Sequence, residues 1–314
     1  MFEFVTPHVL FRTQIHTLRD TLPGVLDGDA GHIHDARIAT RRIRELLPLL
    51  GDAKRRRPIE DLNSRFKRLG RSLGRVRDAD VILALLASLE TRIPHAAPAL
   101  VVLRQQREHD RLRLLRKLVK RLERLEAVRM IETLDEHRLA LPGAPAWSVR
   151  TGHTWRRDLD YTLRERALAT REAIDHATGV YFPVRMHRAR IAIKKMRYAL
   201  EIGHAIGQTD RSVAIRELKR AQDVLGDLHD RQELVDSLTE TCEDNRPDIT
   251  GHVSLLKQVI DAECHDLHGR YLGRRNAILE ICRHERRHPH NTHVRSLIAA
   301  GALAITSGIY AKVR

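Results

Sequence analysis

The chain has 314 residues, 42% of them hydrophobic, enough to bury the core of two ordinary domains or one large one. Lys and Arg number 56 against 41 Asp and Glu, a formal charge of +15, so the expected partners are polyanions: nucleic acid, an acidic membrane surface or a phosphate polymer. Aromatic residues are only 4%, few for a protein that stacks single-strand bases, and Cys242, Cys264 and Cys282 lack the spacing of a disulfide framework or a zinc site.

In chain order, apolar spacing at Val5, Val9, Ile15, Leu18 and Leu22 predicts a first helix over Phe4–Leu22, stopped by Pro23-Gly24. After the polar turn Asp27–Gly31 a second helix runs to Pro48 and Gly51, and Arg55-Arg56-Arg57-Pro58 reads as a basic connector. A third helix opens near Ile59, with Leu62, Phe66, Leu69 and Leu73 on its seam, and leads through Leu73–Asp80 into the apolar Val81–Leu89. One long charged helix is expected over Ala97–Leu134. Leu141-Pro142-Gly143-Ala144-Pro145 is the clearest linker, separating residues 1–141 from 146–314. Beyond it the pattern restarts with Trp155–Ala177, the turn Gly179–Pro183, a basic helix from near Val184, a helix through Ile215–Leu225, and a last helical region over His252–His284. No strand alternation of any length is visible. The expected fold is all-α: two antiparallel helical bundles of about four helices each, related by internal duplication and a pseudo-twofold axis. Met1–Leu10 lacks the pattern of a signal peptide, and the interrupted apolar run Leu297–Tyr310 is too short for a membrane span. With the cysteine usage, these features lead us to expect a cytoplasmic protein.

Two blocks recur. His34-Asp35-Ala36-Arg37-Ile38-Ala39-Thr40-Arg41-Arg42-Ile43-Arg44 returns as His187-Arg188-Ala189-Arg190-Ile191-Ala192-Ile193-Lys194-Lys195-Met196-Arg197. On a helix at about 100° per residue, with the histidine as zero, Arg37, Arg41 and Arg44 fall near −60°, −20° and −80°, and Arg190, Lys194 and Arg197 fall at the same angles. Ala36, Ala39 and Ile43 point the other way, as do Ala189, Ala192 and Met196. Each helix thus buries one face and shows a histidine above a ladder of cations on the other. The second block, Leu73-Gly74-Arg75-Val76-Arg77-Asp78, returns as Leu225-Gly226-Asp227-Leu228-His229-Asp230, and Lys67-Arg68 and Lys219-Arg220 precede the two copies at matched distances. Asp78 and Asp230 read as clamps on nearby arginines. Gly74 and Gly226 read as places of close helix approach or a local bend. Where the first half has Arg71, Arg75 and Arg77, the second has Asp223, Asp227 and His229, so the first half is expected to supply more contacts there.

The motifs His34-x-x-Arg37-x-x-x-Arg41-Arg42-x-Arg44 and Leu73-Gly74-x-x-Arg77-Asp78, both present twice and in order, resemble the CHAD domain, the conserved histidine α-helical domain, over about residues 5–285. That resemblance implies two helical bundles with internal pseudo-symmetry, binding of inorganic polyphosphate along a basic surface, and no catalytic activity of its own. It implies phosphate contacts from His34, Arg37, Arg41, Arg42 and Arg44, and from His187, Arg190, Lys194, Lys195 and Arg197. Lys67, Arg68, Lys219 and Arg220 would extend the surface, and Arg71, just before the second block, with Arg75, Arg77 and His229 within it, complete the candidate set. Association with polyphosphate granules is a further implication. The Glu-x-Glu-x-Lys motif of the triphosphate-tunnel domain fused to some members is not found.

No cofactor is expected, and no metal at His34 or His187, which have no ligand three or four residues on. His284, His288, His290 and His293 are better spaced, but with Pro289 and the surrounding arginines they read as a basic tail. Polyphosphate asks for a row of cations and no base-reading chemistry, which suits the planar donor fork of arginine, while Lys194 and Lys195 act as point charges. Bound phosphate should raise the pKa of a histidine on the same face, so binding is expected to tighten as pH falls. Non-specific nucleic-acid binding is the alternative reading. A histidine that accepts a phosphoryl group is a second, but it has no paired acid or metal cluster in the sequence around it.

Overall fold

The computed structural model describes residues 5–50, 56–136, 154–207, 210–243 and 249–287, and among these no strand occurs. Nine α-helices follow one another among them: α1 (Pro7–Leu26), α2 (Ala30–Leu46), α3 (Arg56–Arg92), α4 (Ala97–Arg124), α5 (Ala127–Glu136), α6 (Thr154–His176), α7 (Pro183–Ala205), α8 (Ser212–Glu243) and α9 (Thr250–Arg287). The all-helical class read from the sequence holds. The expected linker Leu141–Pro145, Arg55, and the tail with His288, His290 and His293 lie outside the described residues. Among the described residues no helix is long and apolar enough to cross a membrane.

α1 opens at Thr6, whose hydroxyl accepts a hydrogen bond from the Val9 amide at 3.4 Å, with Pro7 at the first helical position. The expected stop at Pro23-Gly24 is not one. The helix runs on to Leu26 and ends where Gly28 adopts φ +78°, a left-handed conformation that suits glycine. Leu22 and Val25, on either side of Pro23, are both buried, and only continued helix keeps both on the core face. α2 is capped by Asp29, which accepts from the His32 amide at 2.7 Å, and it buries Ile33, Ala36, Ala39, Ile43 and Leu46.

α3 is a single helix of 37 residues. Arg56, Arg57 and Pro58 form its first turn instead of a connector, because proline is tolerated there. The stretch Leu73–Asp80 is continuous helix, with no break at Gly74. Close approach of α2 and α3 occurs one turn earlier, at Gly70, where a Cβ would come within 3.1 Å of Thr40 Cγ2.

The single long helix expected over Ala97–Leu134 is two. Glu126 takes φ +46°, Leu125 caps α4, and Arg65 of α3 donates to the Leu125 carbonyl at 2.6 Å. The turn lets α5 fold back against α1 and bury Ala127, Met130, Ile131 and Leu134.

Successive helices α1 to α4 pack as neighbours, and α5 closes this first group against α1; α6 to α9 pack likewise, and α9 closes the second against α6. One continuous apolar core threads both groups. The groups meet where α2 touches α7, α3 touches α8 and α4 touches α9. Ion pairs cross this boundary: Arg42 with Glu201 at 3.6 Å, Glu45 with Arg166 at 3.5 Å, and Arg92 with Glu263 at 2.5 Å.

Candidate functional site

The cation ladders of α2 and α7 face the boundary between the two helix groups. There Arg37 and Arg41 come within electrostatic reach of Arg190 and Lys194. Burial, followed by the charge of Arg41, brings the Arg37 guanidinium down to about 10; Asp78 opposes the shift and Arg190 adds to it. Burial and the charges of Arg41, Arg190 and Arg37 hold the Lys194 ammonium down at about 7. Four cations are gathered in a half-dry seam, with Asp78, Asp230 and Glu233 as the acids within electrostatic reach of them.

Arg37 Nη2 donates to Asp78 Oδ1 at 3.1 Å, the clamp expected from the sequence, yet its Nε–H is buried without an acceptor among the described residues. Arg190 Nε is likewise buried with no acceptor among the described residues. A Cβ on Gly74 would lie 3.4 Å from Arg37 Nε, and one on Gly226 would lie 4.0 Å from Arg190 Nε. Both are ordinary contact distances, so the arginine of each first block lies against the glycine of each second block, and α3 passes Gly74 without a break.

Asp230 does not mirror Asp78. It makes no ion pair among the described residues, and burial raises its carboxyl to about 6 in spite of Arg190, helped by Asp78 and Asp227. The His229 ring lies 4.7 Å from that of His187, and its Nε2 is 3.4 Å from Glu233 Oε1. Burial, then Arg190, His187 and Lys194, hold His229 down at about 4. His34 and His187 also lie below the usual histidine range, each through burial first; Arg77 then acts on His34, and Arg190 and Lys194 on His187. The unliganded site thus favours neutral histidines.

The remaining candidates lie around this centre. Arg44 donates to Asn63 Oδ1 at 3.3 Å, and burial, with Arg41 and Arg71 adding, lowers its guanidinium. Arg197 is engaged by Gln222 at 3.0 Å and by Glu201, over the ring of Tyr198. Arg42 pairs with Glu201, Arg220 pairs with Glu217, and Arg75 borders a groove with Asp78 and Arg107. Lys195 faces a different groove, between α6 and α7, beside Arg166 and Arg188. Lys67, Arg68 and Lys219 are exposed, and none is among the leading charges felt at the seam.

Two residues that sequence reasoning passed over belong to the site. Glu201 joins Arg42 of α2 to Arg197 of α7, and its position four residues after Arg197 was the available signal. Glu233, four residues after His229, is raised by burial and by Asp78 and Asp230. Taken together, the seam presents several fixed hydrogen-bond donors, an arrangement that suits an extended row of oxyanions.

The two helix groups, with the histidine–arginine helices α2 and α7 in contact across their boundary, are the features to compare with known proteins. The CHAD domain model matches residues 9–239, and the chain belongs to that family. Its fold is similar to the crystal structure of the CHAD domain from the plant Ricinus communis, with a TM-score of 0.58 and 22% identity over 86% of this chain and 90% of that one. It is also similar to PptA from Streptomyces chartreusis, with a TM-score of 0.63 and 16% identity over 85% and 97% of the two chains. No curated protein matches the sequence.

Proposed function

We propose that the chain binds inorganic polyphosphate along the α2–α7 seam, as a binding protein and not a catalyst, and that this binding places it on polyphosphate granules. The observation that carries the reading is the meeting of Arg37, Arg41, Arg190 and Lys194, with the Nε–H groups of Arg37 and Arg190 buried and without acceptors among the described residues. Burying like charges together is unfavourable until an anion neutralises them. A chain of phosphates does so at close spacing and satisfies the orphaned donors. His34 and Arg77 on one side and His187 and His229 on the other continue the track.

The test is a salt-resolved competition between long-chain polyphosphate and single-stranded DNA of matched charge. About eight contacting cations give a log–log salt slope near −6 on the single-strand rule. Polyphosphate is expected to win by about tenfold or more, and neutralising Arg37, Arg41, Arg190 and Lys194 should abolish that margin. Equal binding of both ligands, weakened alike by those changes, would make the seam a general anion surface and put nucleic acid first.

A further inference from the structure

A cavity of about 240 Å³ opens beside the seam, between the start of α7 and the middle of α8. Its walls are largely apolar, from Tyr181, Met186, Leu225 and Leu228, with the carboxylates Glu233 and Asp236 on one side. His187 and His229, the pair whose rings lie together, form the partition between cavity and cations. The matched place in the first half is built differently. There Arg111 of α4 donates to Asp80 at 2.5 Å and to the Gly28 carbonyl at 2.6 Å, drawing α4 over the α1–α2 turn. The residues matching Gly28 and Asp80 are Tyr181 and Gln232, which bond to each other at 2.9 Å and leave the space open. The polar turn Asp27–Gly31 is likewise replaced by Val180–Val184, in which Val180 and Val184 are 71% and 65% exposed.

This cavity is chemically wrong for phosphate. Two carboxylates face it, and its floor is hydrocarbon. It is smaller than the roughly 300–1,000 Å³ of pockets that hold a whole drug-sized ligand. One flat ring system fits, with its charged remainder outside. Asp236 accepts from Gln232 Nε2 at 3.4 Å and Glu233 lies 3.4 Å from His229 Nε2, but a carboxylate has further lone pairs and only accepts hydrogen bonds, so a ring set against these two must donate, as an exocyclic amine does. We propose that the cavity seats the amino-bearing base of a nucleoside polyphosphate, whose phosphates pass His187 and His229 to reach Arg190 and Lys194. The phosphate half of this assignment rests on the polyphosphate reading; the base half rests on the cavity alone.

The experiment measures binding of ATP, UTP, inorganic triphosphate and long-chain polyphosphate to the full chain at one salt concentration. ATP is expected to bind about tenfold more tightly than inorganic triphosphate in spite of its lower charge, with UTP close to triphosphate. Asp236 is exposed, so Asp236→Lys spares the core. It removes an acceptor and adds a cation, and should erase the ATP margin while triphosphate and long-chain polyphosphate bind as well or better. A purely electrostatic change would strengthen ATP and triphosphate together. ATP binding no better than triphosphate, or a margin that survives Asp236→Lys, overturns the base pocket. Loss of long-chain polyphosphate binding with the ATP margin intact overturns the polyphosphate reading and keeps the pocket.

Discussion

Lys194 sits where the charges of Arg37, Arg41 and Arg190 meet, and its proton is loosely held. Its pKa falls from the ordinary 10.5 to about 7 on folding, so between those values the folded chain binds fewer protons than the unfolded one, and stability rises with pH across that window. Removing the charge should relieve the strain: Lys194→Met is expected to raise the melting temperature at pH 7 while weakening polyphosphate binding. A lowered melting temperature would show that the ammonium is compensated. A bound polyanion reverses the shift, so binding takes up protons at Lys194, at the histidines and at Asp230, all with the same sign. Affinity should therefore climb as pH falls from about 9 to about 6. Lys194→Arg should flatten the alkaline part of that profile, and His34→Gln with His187→Gln the acidic part; curves that do not change in either variant would refute the assignment. The histidine and cation spacing was legible because a 3.6-residue period displays it on one helix. The fit of Arg37 over Gly74 was not, since it joins residues on two helices that only packing brings together.

At the scale of elements, the helices with a strong apolar stripe were readable in type, and the errors fall at their ends. Pro23 looks like a terminator, but burial on both sides of it overrides the local signal. The break between α4 and α5 has the opposite cause. No Gly or Pro stands at Leu125-Glu126, and the stop is supplied from α3 by the Arg65 guanidinium on the Leu125 carbonyl. Arg65→Met should cost about 1–2 kcal/mol, read as a lower denaturant midpoint, because it leaves that carbonyl uncapped. An unchanged midpoint would mean that α5 holds the turn through its own packing against α1.

For the whole molecule, the decisive feature is that the two helix groups bring Arg37 and Arg41 of one within reach of Arg190 and Lys194 of the other. Salt should then act in opposite directions on the two states of the protein. Without ligand, screening of the seam is expected to raise the melting temperature; with polyphosphate bound, the same salt should lower it by displacing the ligand. Parallel shifts in both states would mean that the cations of the seam do not repel one another appreciably. The repeat in the sequence pointed to cationic faces that converge, but it could not rank them. Arg37 is engaged by Asp78, an acid within the repeat, whereas Arg42, Arg197 and Arg220 are engaged by Glu201 and Glu217, acids that the repeat does not mark.

The ties from α2 to α7 have a consequence in time. Arg37 and Arg41 are synthesised well before Arg190 and Lys194, and an N-terminal unit folds first as a chain emerges. A nascent chain thus shows only one wall of the seam, and under the proposed polyphosphate binding its grip on the polymer would have about half the final valence, with a salt slope shallower in proportion. Full affinity would arrive only when the second group of helices docks. Until then a growing chain would release a polymer that the finished protein is proposed to hold.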